Sequence, residues 1–147
     1  MGRALICGVL AAALAAQVAA AEPEIDTARQ TALAGQFEPF DEVAGAEWEP
    51  AFPTPFYRKA PANGPEPVTL ALAPGAYMVV VLCRCESMDV TLIGPGGTKV
   101  EPMRHSDQAA MYSLDVTVAG DYLTGIDMGE CGEKQCDLAV KVYKKKA

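Results

Sequence analysis

The chain has 147 residues, half of them hydrophobic, and carries a formal charge of −7 at neutral pH. That acidity excludes a surface that tracks phosphates, which needs a basic stripe, so no nucleic-acid partner is expected. The length suits one small domain with a modest core rather than several domains.

The first residues read as an export address. Arg3 supplies a positive start, Ala4 to Val18 form an apolar run interrupted only by Gly8 and Gln17, and Ala19, Ala20 and Ala21 offer small-residue cleavage positions. Residues 1–21 are therefore expected to be a signal peptide, cut after Ala20 or Ala21, which implies a periplasmic or secreted protein. The run is short for a span of about 20 residues, and no second hydrophobic stretch follows, so no membrane span is expected. Cys7 lies ahead of most of the apolar run, whereas a lipid-modified cysteine would follow it. Its loss with the leader leaves an even set, Cys83, Cys85, Cys131 and Cys136, whose expected fate in an oxidising compartment is two disulfides.

Residues 22–66 form an acidic segment rich in proline and aromatic residues, with nine acids against Arg29, Arg58 and Lys59. Asp26 is placed to cap one short helix running to about Leu33, which Gly35 would stop. Pro39, Pro50, Pro53, Pro55, Pro61, Pro65 and Pro67 then forbid a long helix and remove ladder donors, so an extended path over a surface is expected. Phe37, Phe40, Trp48, Phe52, Phe56 and Tyr57 are more aromatics than a disordered segment carries. Some should pack onto the following domain, and Trp48, Phe52, Phe56 and Tyr57 are the candidate interaction residues for docking another protein.

From residue 67 to 147 the pattern is strand and turn. Val68 to Leu72 is a first strand, turned by Pro74 and Gly75. Ala76 to Cys85 runs almost unbroken in apolar residues and should be central, covered on both faces. Val90 to Ile93 leads to the turn Gly94–Pro95–Gly96–Gly97, and Thr98 to Met103 is an edge candidate demoted by Pro102. Tyr112, Leu114, Val116 and Val118 alternate with polar residues, the mark of one buried and one wet face. Asp121 to Met128 and Leu138 to Tyr143 complete about seven strands. The expected fold class is all-β: an antiparallel β-sandwich, jelly-roll-like, with two disulfides and an extended Pro-rich N-terminal segment.

Four short motifs carry a resemblance. They are Leu72–Ala73–Pro74–Gly75–Ala76–Tyr77, Asp89–Val90–Thr91–Leu92, Pro95–Gly96–Gly97 and Ala119–Gly120–Asp121–Tyr122. In this order they resemble the bacterial pre-peptidase C-terminal (PPC-like) domain, a β-sandwich family, over Val68 to Tyr143. The resemblance implies an accessory or binding module that stands alone, since nothing in residues 22–66 could be a peptidase. Thr91 stands where members often carry a second acid linked to calcium, so the resemblance does not extend to a metal site. Motifs of turn glycines and inward aromatics speak for a fold rather than a chemistry.

In an extended strand Cys83 and Cys85 share a face, with Cα atoms near the upper limit for a bridge. Each is therefore expected to reach the far loop, Cys83 with Cys136 and Cys85 with Cys131, or the reverse. Either arrangement closes loops of about 50 residues, worth roughly 4 kcal/mol each on the chain-entropy account. A four-thiolate site for zinc or copper(I) is the competing use of the same sulfurs, and export to an oxidising compartment weighs against it. Met103, His105 and Met111, with Met88 and Met128, are a second soft-ligand set for copper(I), although methionine is an ordinary core filler. His105, Ser106 and Asp107 hold the residue types of a hydrolytic triad, but neighbours on one turn diverge where a triad must converge. Asp127, Glu130 and Glu133 read as a solvated acidic loop, and Lys144, Lys145 and Lys146 as a solvated tail. No catalytic residue, metal ligand or cofactor is assigned. The expectation is a non-enzymatic, monomeric exported module that binds a protein, peptide or envelope component through its N-terminal segment or strand edges. The alternative is a periplasmic metal-handling protein using Cys, Met and His ligands, and peptidase inhibition by the Pro-rich segment is a third reading.

Overall fold

The longest apolar run of the chain sets the architecture. A computed structural model describes residues 25–62 and 64–147; the expected leader, Cys7 and the cleavage positions lie outside the described residues. Strand β4 (Gly75–Cys83) is buried from Tyr77 onward on both faces. It lies between β10 (Gln135–Lys145) and β8 (Ala109–Val116), antiparallel to each, with Val81 opposite Val140 on one side and Ala110 on the other. Beyond β8 sits the two-residue β7 (Arg104–His105). The other edge of β10 is shared end to end by β1 (Trp48–Pro50) and β2 (Phe56–Pro61). The second sheet has the order β3 (Pro65–Leu72), β9 (Gly120–Met128), β5 (Met88–Ile93) and β6 (Lys99–Val100), all antiparallel. From β3 onward the chain changes sheet at most connections, which gives a jelly-roll-like sandwich.

Period-two alternation distributes the side chains of this central pair. Val79, Val81 and Cys83 of β4 and Leu138, Val140 and Val142 of β10 face the second sheet, where they meet Leu70, Leu92 and Ile126. Met78, Val80 and Leu82, with Ala139 and Tyr143, face the other way. Beyond Gln135 only Lys141, Lys144 and the strand's end escape burial in β10. The outer face is covered by α1 (Thr27–Gln36) and α2 (Glu38–Ala44), whose Leu33, Phe37 and Ala44 pack on it.

The N-terminal segment is thus a helical layer and an edge, rather than a wholly extended strap. Asp26 does cap α1, accepting a hydrogen bond from the Arg29 amide at 2.9 Å. Gly35 does not stop the helix. Leu33 and Phe37 are almost completely buried on either side of it, and that packing outweighs glycine's helix cost of about 1 kcal/mol. Pro39 falls in the first turn of α2, where a missing N–H removes nothing. Of the later prolines, Pro50 and Pro61 close β1 and β2, Pro53 and Pro55 lie in the connection between them, and Pro65 and Pro67 lie in the edge strand β3. The sheets therefore recruit residues from ahead of position 67. Together with β7, these additions account for ten strands where about seven were expected.

Two side-chain contacts bind the layers. Asp41 of α2 accepts hydrogen bonds from Tyr143 Oη at 2.7 Å and Lys141 Nζ at 2.6 Å on the sheet below. Lys141 Nζ also lies over the Phe37 and Tyr143 rings. Between the sheets, Tyr112 Oη donates to the Val90 carbonyl at 2.8 Å. At the far end, Gly120 allows the Pro95 ring to close on it: a Cβ there would lie 2.6 Å from Pro95 Cγ. The Pro95–Gly96–Gly97 turn and the Ala119–Gly120 turn, separate motifs in the sequence, therefore touch.

Burial, the hydrogen bond to Asp41 and the Asp41 charge all push the Tyr143 phenol well above the ordinary tyrosine range. Tyr57 is raised by burial, and Tyr112 by burial and then the Glu101 charge. A raised folded-state value means stabilisation that is complete below the unfolded value near 10 and lost as pH climbs above it. In an alkaline titration followed by phenolate absorbance, Tyr143 should ionise only together with loss of the near-ultraviolet circular dichroism, and Tyr57 and Tyr112 should ionise above the ordinary tyrosine range. Leu33→Ala should cost about 2–5 kcal/mol in urea unfolding, whereas Val43→Ala, on the exposed face of α2, should stay within about 0.5 kcal/mol.

Candidate functional site

One end of the sandwich is made of irregular backbone held by sulfur. There the turn after β4 (residues 84–87), the turn before β8 (106–108) and the loop between β9 and β10 (129–134) meet under α1. Cys83 pairs with Cys85, and Cys131 with Cys136, at Cα separations of 5.4 and 5.7 Å. The expected long-range pairings, Cys83 or Cys85 with Cys131 or Cys136, are therefore corrected to two local ones. The premise of a fully extended Cys-x-Cys fails because β4 ends at Cys83 and the chain bends at Arg84 and Cys85, which brings the two Cα atoms inside bridging range.

Backbone pairing explains why the sulfurs collect here. Arg84 N donates to the Asp137 carbonyl at 2.9 Å, one step beyond the Cys83–Leu138 pair, so the register of β4 with β10, continued one residue further, leads from Cys85 to Cys136. Starting instead from the Met88–Met128 pair, Gly129 N donates to Ser87 O at 2.8 Å and Glu86 N to Glu130 O at 2.7 Å. This second register, continued in the same way, leads from Cys85 to Cys131. The Cys-x4-Cys loop is the excess length between the two ladders, and its disulfide closes the loop at its base.

Charged side chains surround this frame. Arg29 of α1 reaches Asp137 at 3.3 Å and Glu133 at 3.2 Å, fastening the helix to the loop. Asp137, then Glu133, raise the Arg29 guanidinium further above its already high value. Gln108 Nε2 donates to the Cys85 carbonyl at 3.1 Å, and Cys83 N to the Gln108 carbonyl at 3.1 Å. A cleft of about 540 Å³ opens between Gln36, Arg84, Glu86 and Gln108, floored by Cys83, Cys85 and Cys131. A smaller one of about 110 Å³ lies between Arg29, Arg84 and the Cys131–Cys136 bridge. Arg84 borders both clefts, and neither it nor Lys134 makes an ion pair among the described residues.

The other sequence candidates lie elsewhere. Tyr57 is buried under the helices, and Trp48 packs partly against the same cluster. Phe52 and Phe56 meet edge to face at 5.1 Å and lie against the inter-sheet core. These four aromatics attach the N-terminal segment to the domain, and Tyr57 in particular has no free surface for docking. His105 Nε2 lies 3.2 Å from the Met88 carbonyl, which can only accept, so that nitrogen carries the proton. Ser106 Oγ accepts from the Ala109 amide in its own turn. The three neighbours thus do not converge.

Met88 and Met128 are paired across β5 and β9 in the core. Met111 packs under the helices, whereas His105 reaches toward the second sheet; Met103 is exposed beside them. Among the described residues no group of three or more His, Cys, Asp or Glu is arranged to hold a metal ion. The lysine tail begins inside the sheet: Lys144 and Lys145 pair with Glu49 and Trp48, and Lys146 N donates to the Glu47 carbonyl.

Local bridges change the energetics. Closing loops with sequence separations of 2 and 5 constrains the unfolded chain by about 2 kcal/mol each on the chain-entropy account, half the value for the expected long loops. The double variant Cys131→Ser/Cys136→Ser should therefore fold and lose about 2 kcal/mol in chemical denaturation. Amide exchange should rise in residues 129–136 and stay unchanged in β3 and β9 before Met128.

No protein-family model matches the chain, and no curated protein sequence matches it. Among solved structures it is similar to PliG of Aeromonas hydrophila, a periplasmic inhibitor of g-type lysozyme. The identity is 16%, over 67% of this chain and 88% of that one, with a TM-score of 0.43. It is also similar to the lipase BlEst2 of Bacillus licheniformis in its propeptide form, at 18% identity over 76% of this chain and 26% of the lipase, with a TM-score of 0.46. Likenesses of this size leave the functional reading to the geometry of the chain itself.

Proposed function

We propose that this chain is an exported, non-catalytic binding module that engages a protein, peptide or envelope component through the disulfide-framed end of its sandwich. The observation that carries this reading is the placement of the disulfides. Both close local loops at one end instead of tying distant strands, so they stiffen a surface more than they staple the fold. A pre-ordered loop loses less freedom on binding, and that gain appears as affinity. The loop displays Glu133, Lys134 and Gln135 to solvent, with Arg84 beside it. Mixed charges suit a polar protein surface and not a phosphate backbone.

Two further observations support the reading. Disulfides persist outside the reducing cytosol, which fits an exported protein. Among the described residues no nucleophile, base and orienting acid lie in mutual hydrogen-bonding reach, the arrangement that acyl transfer would require. The likeness of residues 68–143 to PPC-like accessory domains points the same way. Because β1 and β2 are paired into the sheet, the binding surface is assigned to the loop end and not to a free N-terminal strap.

A photo-crosslinking residue placed at Lys134 or Glu86 should trap a partner in intact cells. The same residue at Lys99, on β6 at the opposite end of the sandwich, should not. Equal trapping from all three positions would assign binding elsewhere. Turnover of any substrate that vanishes on a single Asp, Glu or His substitution would replace this reading with an enzymatic one.

A further inference from the structure

We infer that the cysteine cluster is a thiol-exchange site, entered at Cys131 and able to pass from its local pairing to a cross-strand pairing through Cys85. The inference does not depend on the binding function; it follows from the meeting of two ladders. Continued past their last pairs, Cys83–Leu138 and Met88–Met128, the register of β4 with β10 leads Cys85 to Cys136 and the register of β5 with β9 leads it to Cys131. In the first ladder, the pair Arg84–Asp137 carries the hydrogen bond, so the next pair, Cys85–Cys136, is of the non-hydrogen-bonded type. Facing Cα atoms in such pairs are about 4.5 Å apart, inside the range a disulfide spans. A Cys85–Cys136 bridge therefore asks that the bend at Arg84 and Cys85 open back toward this register.

Access selects the entry point. Cys83, Cys85 and Cys136 are 2%, 7% and 1% exposed, whereas Cys131 is only partly buried and borders both clefts. Thiol–disulfide exchange requires an approaching thiolate to reach a sulfur. A low-molecular-weight thiol of the glutathione class therefore attacks Cys131 Sγ. The Cys131–Cys136 bond breaks, a mixed disulfide forms on Cys131, and Cys136 leaves as a thiolate. Cys136 then attacks Cys85 Sγ, forming Cys85–Cys136 and releasing the Cys83 thiolate. Cys83, which lines the same cleft as Cys131, attacks the mixed disulfide, forming Cys83–Cys131 and returning the small thiol. Two disulfides are present before and after, so no oxidant or reductant is consumed. The cross-strand form ties the turn after β4 to both ends of the 131–136 loop, whereas the local form leaves the two independent.

The test uses the full oxidised protein incubated with a trace of reduced glutathione, quenched in acid, alkylated and mapped by peptide mass spectrometry. Peptides joined through Cys85–Cys136 should appear with thiol and be absent without it. In Cys131→Ser, one of the three remaining mapped cysteines is unpaired, and its alkylation should divide between Cys136 and Cys83, with a measurable share of up to about a tenth on Cys83, as for a populated minor state. Label confined to Cys136 after equilibration would overturn the inference. If the variant does not fold, the wild-type map decides: retention of only the two local bridges in the presence of thiol would overturn it equally.

Discussion

The pairing of β4 with β10 is the constraint from which the rest follows. Both strands carry apolar side chains on successive residues, Tyr77 to Cys83 on one and Leu138 to Val140 on the other, so the ribbon they form must be covered on both faces. One face is answered by the second sheet. The other takes the two helices, and this is why an acidic, proline-rich segment ahead of the strands becomes part of the folded body. Asp41 fixes the cover by accepting from both Lys141 and Tyr143. Two donors on one carboxylate oxygen make that contact selective for a single placement of α2, since a shifted helix would leave a buried phenol unpaired.

The loop end inherits its form from the same pair. β4 leaves the larger sheet at Cys83 and enters the smaller one at Met88, while β9 leaves the smaller sheet at Met128 and enters the larger one at Gln135. Two chain segments change sheet side by side, but with different register on either side of the change. The surplus residues have nowhere to go except outward, as the loop from Cys131 to Cys136. Its disulfide closes it at the base, and the Arg29 contacts to Glu133 and Asp137 hold that excursion against α1. A protruding loop fixed at its base has little conformational freedom left to lose.

The fold was legible in the sequence wherever a pattern is local. The continuous run Ala76 to Leu82 announces a strand covered on both sides, the alternation from Tyr112 to Val116 a strand with one wet face, and Asp26 a helix start. Each rests on a period or a cap that involves near neighbours only. What covers a two-sided strand is a different matter. Leu33 and Phe37 are spaced for one helix face, but nothing in their spacing says that the face will lie on Val80 and Leu82. The prolines show the same limit: Pro39 reads as a helix breaker until its position in the first turn of α2 is known, and Pro65 and Pro67 argue against a strand until that strand proves to lie at an edge.

By itself the sequence determined an all-β sandwich with four cysteines inside its strand region, because composition, strand period and turn residues act locally. Only the tertiary structure decided which cysteines pair, since the bend that brings Cys83 and Cys85 together comes where the chain leaves one sheet for the other. It also decided that the aromatics of the N-terminal segment pack against the folded body and that Arg84 and Lys134 lie exposed at the disulfide-framed end. Such outcomes depend on which elements come to lie side by side, and for residues more than fifty positions apart spacing along the chain carries no record of that.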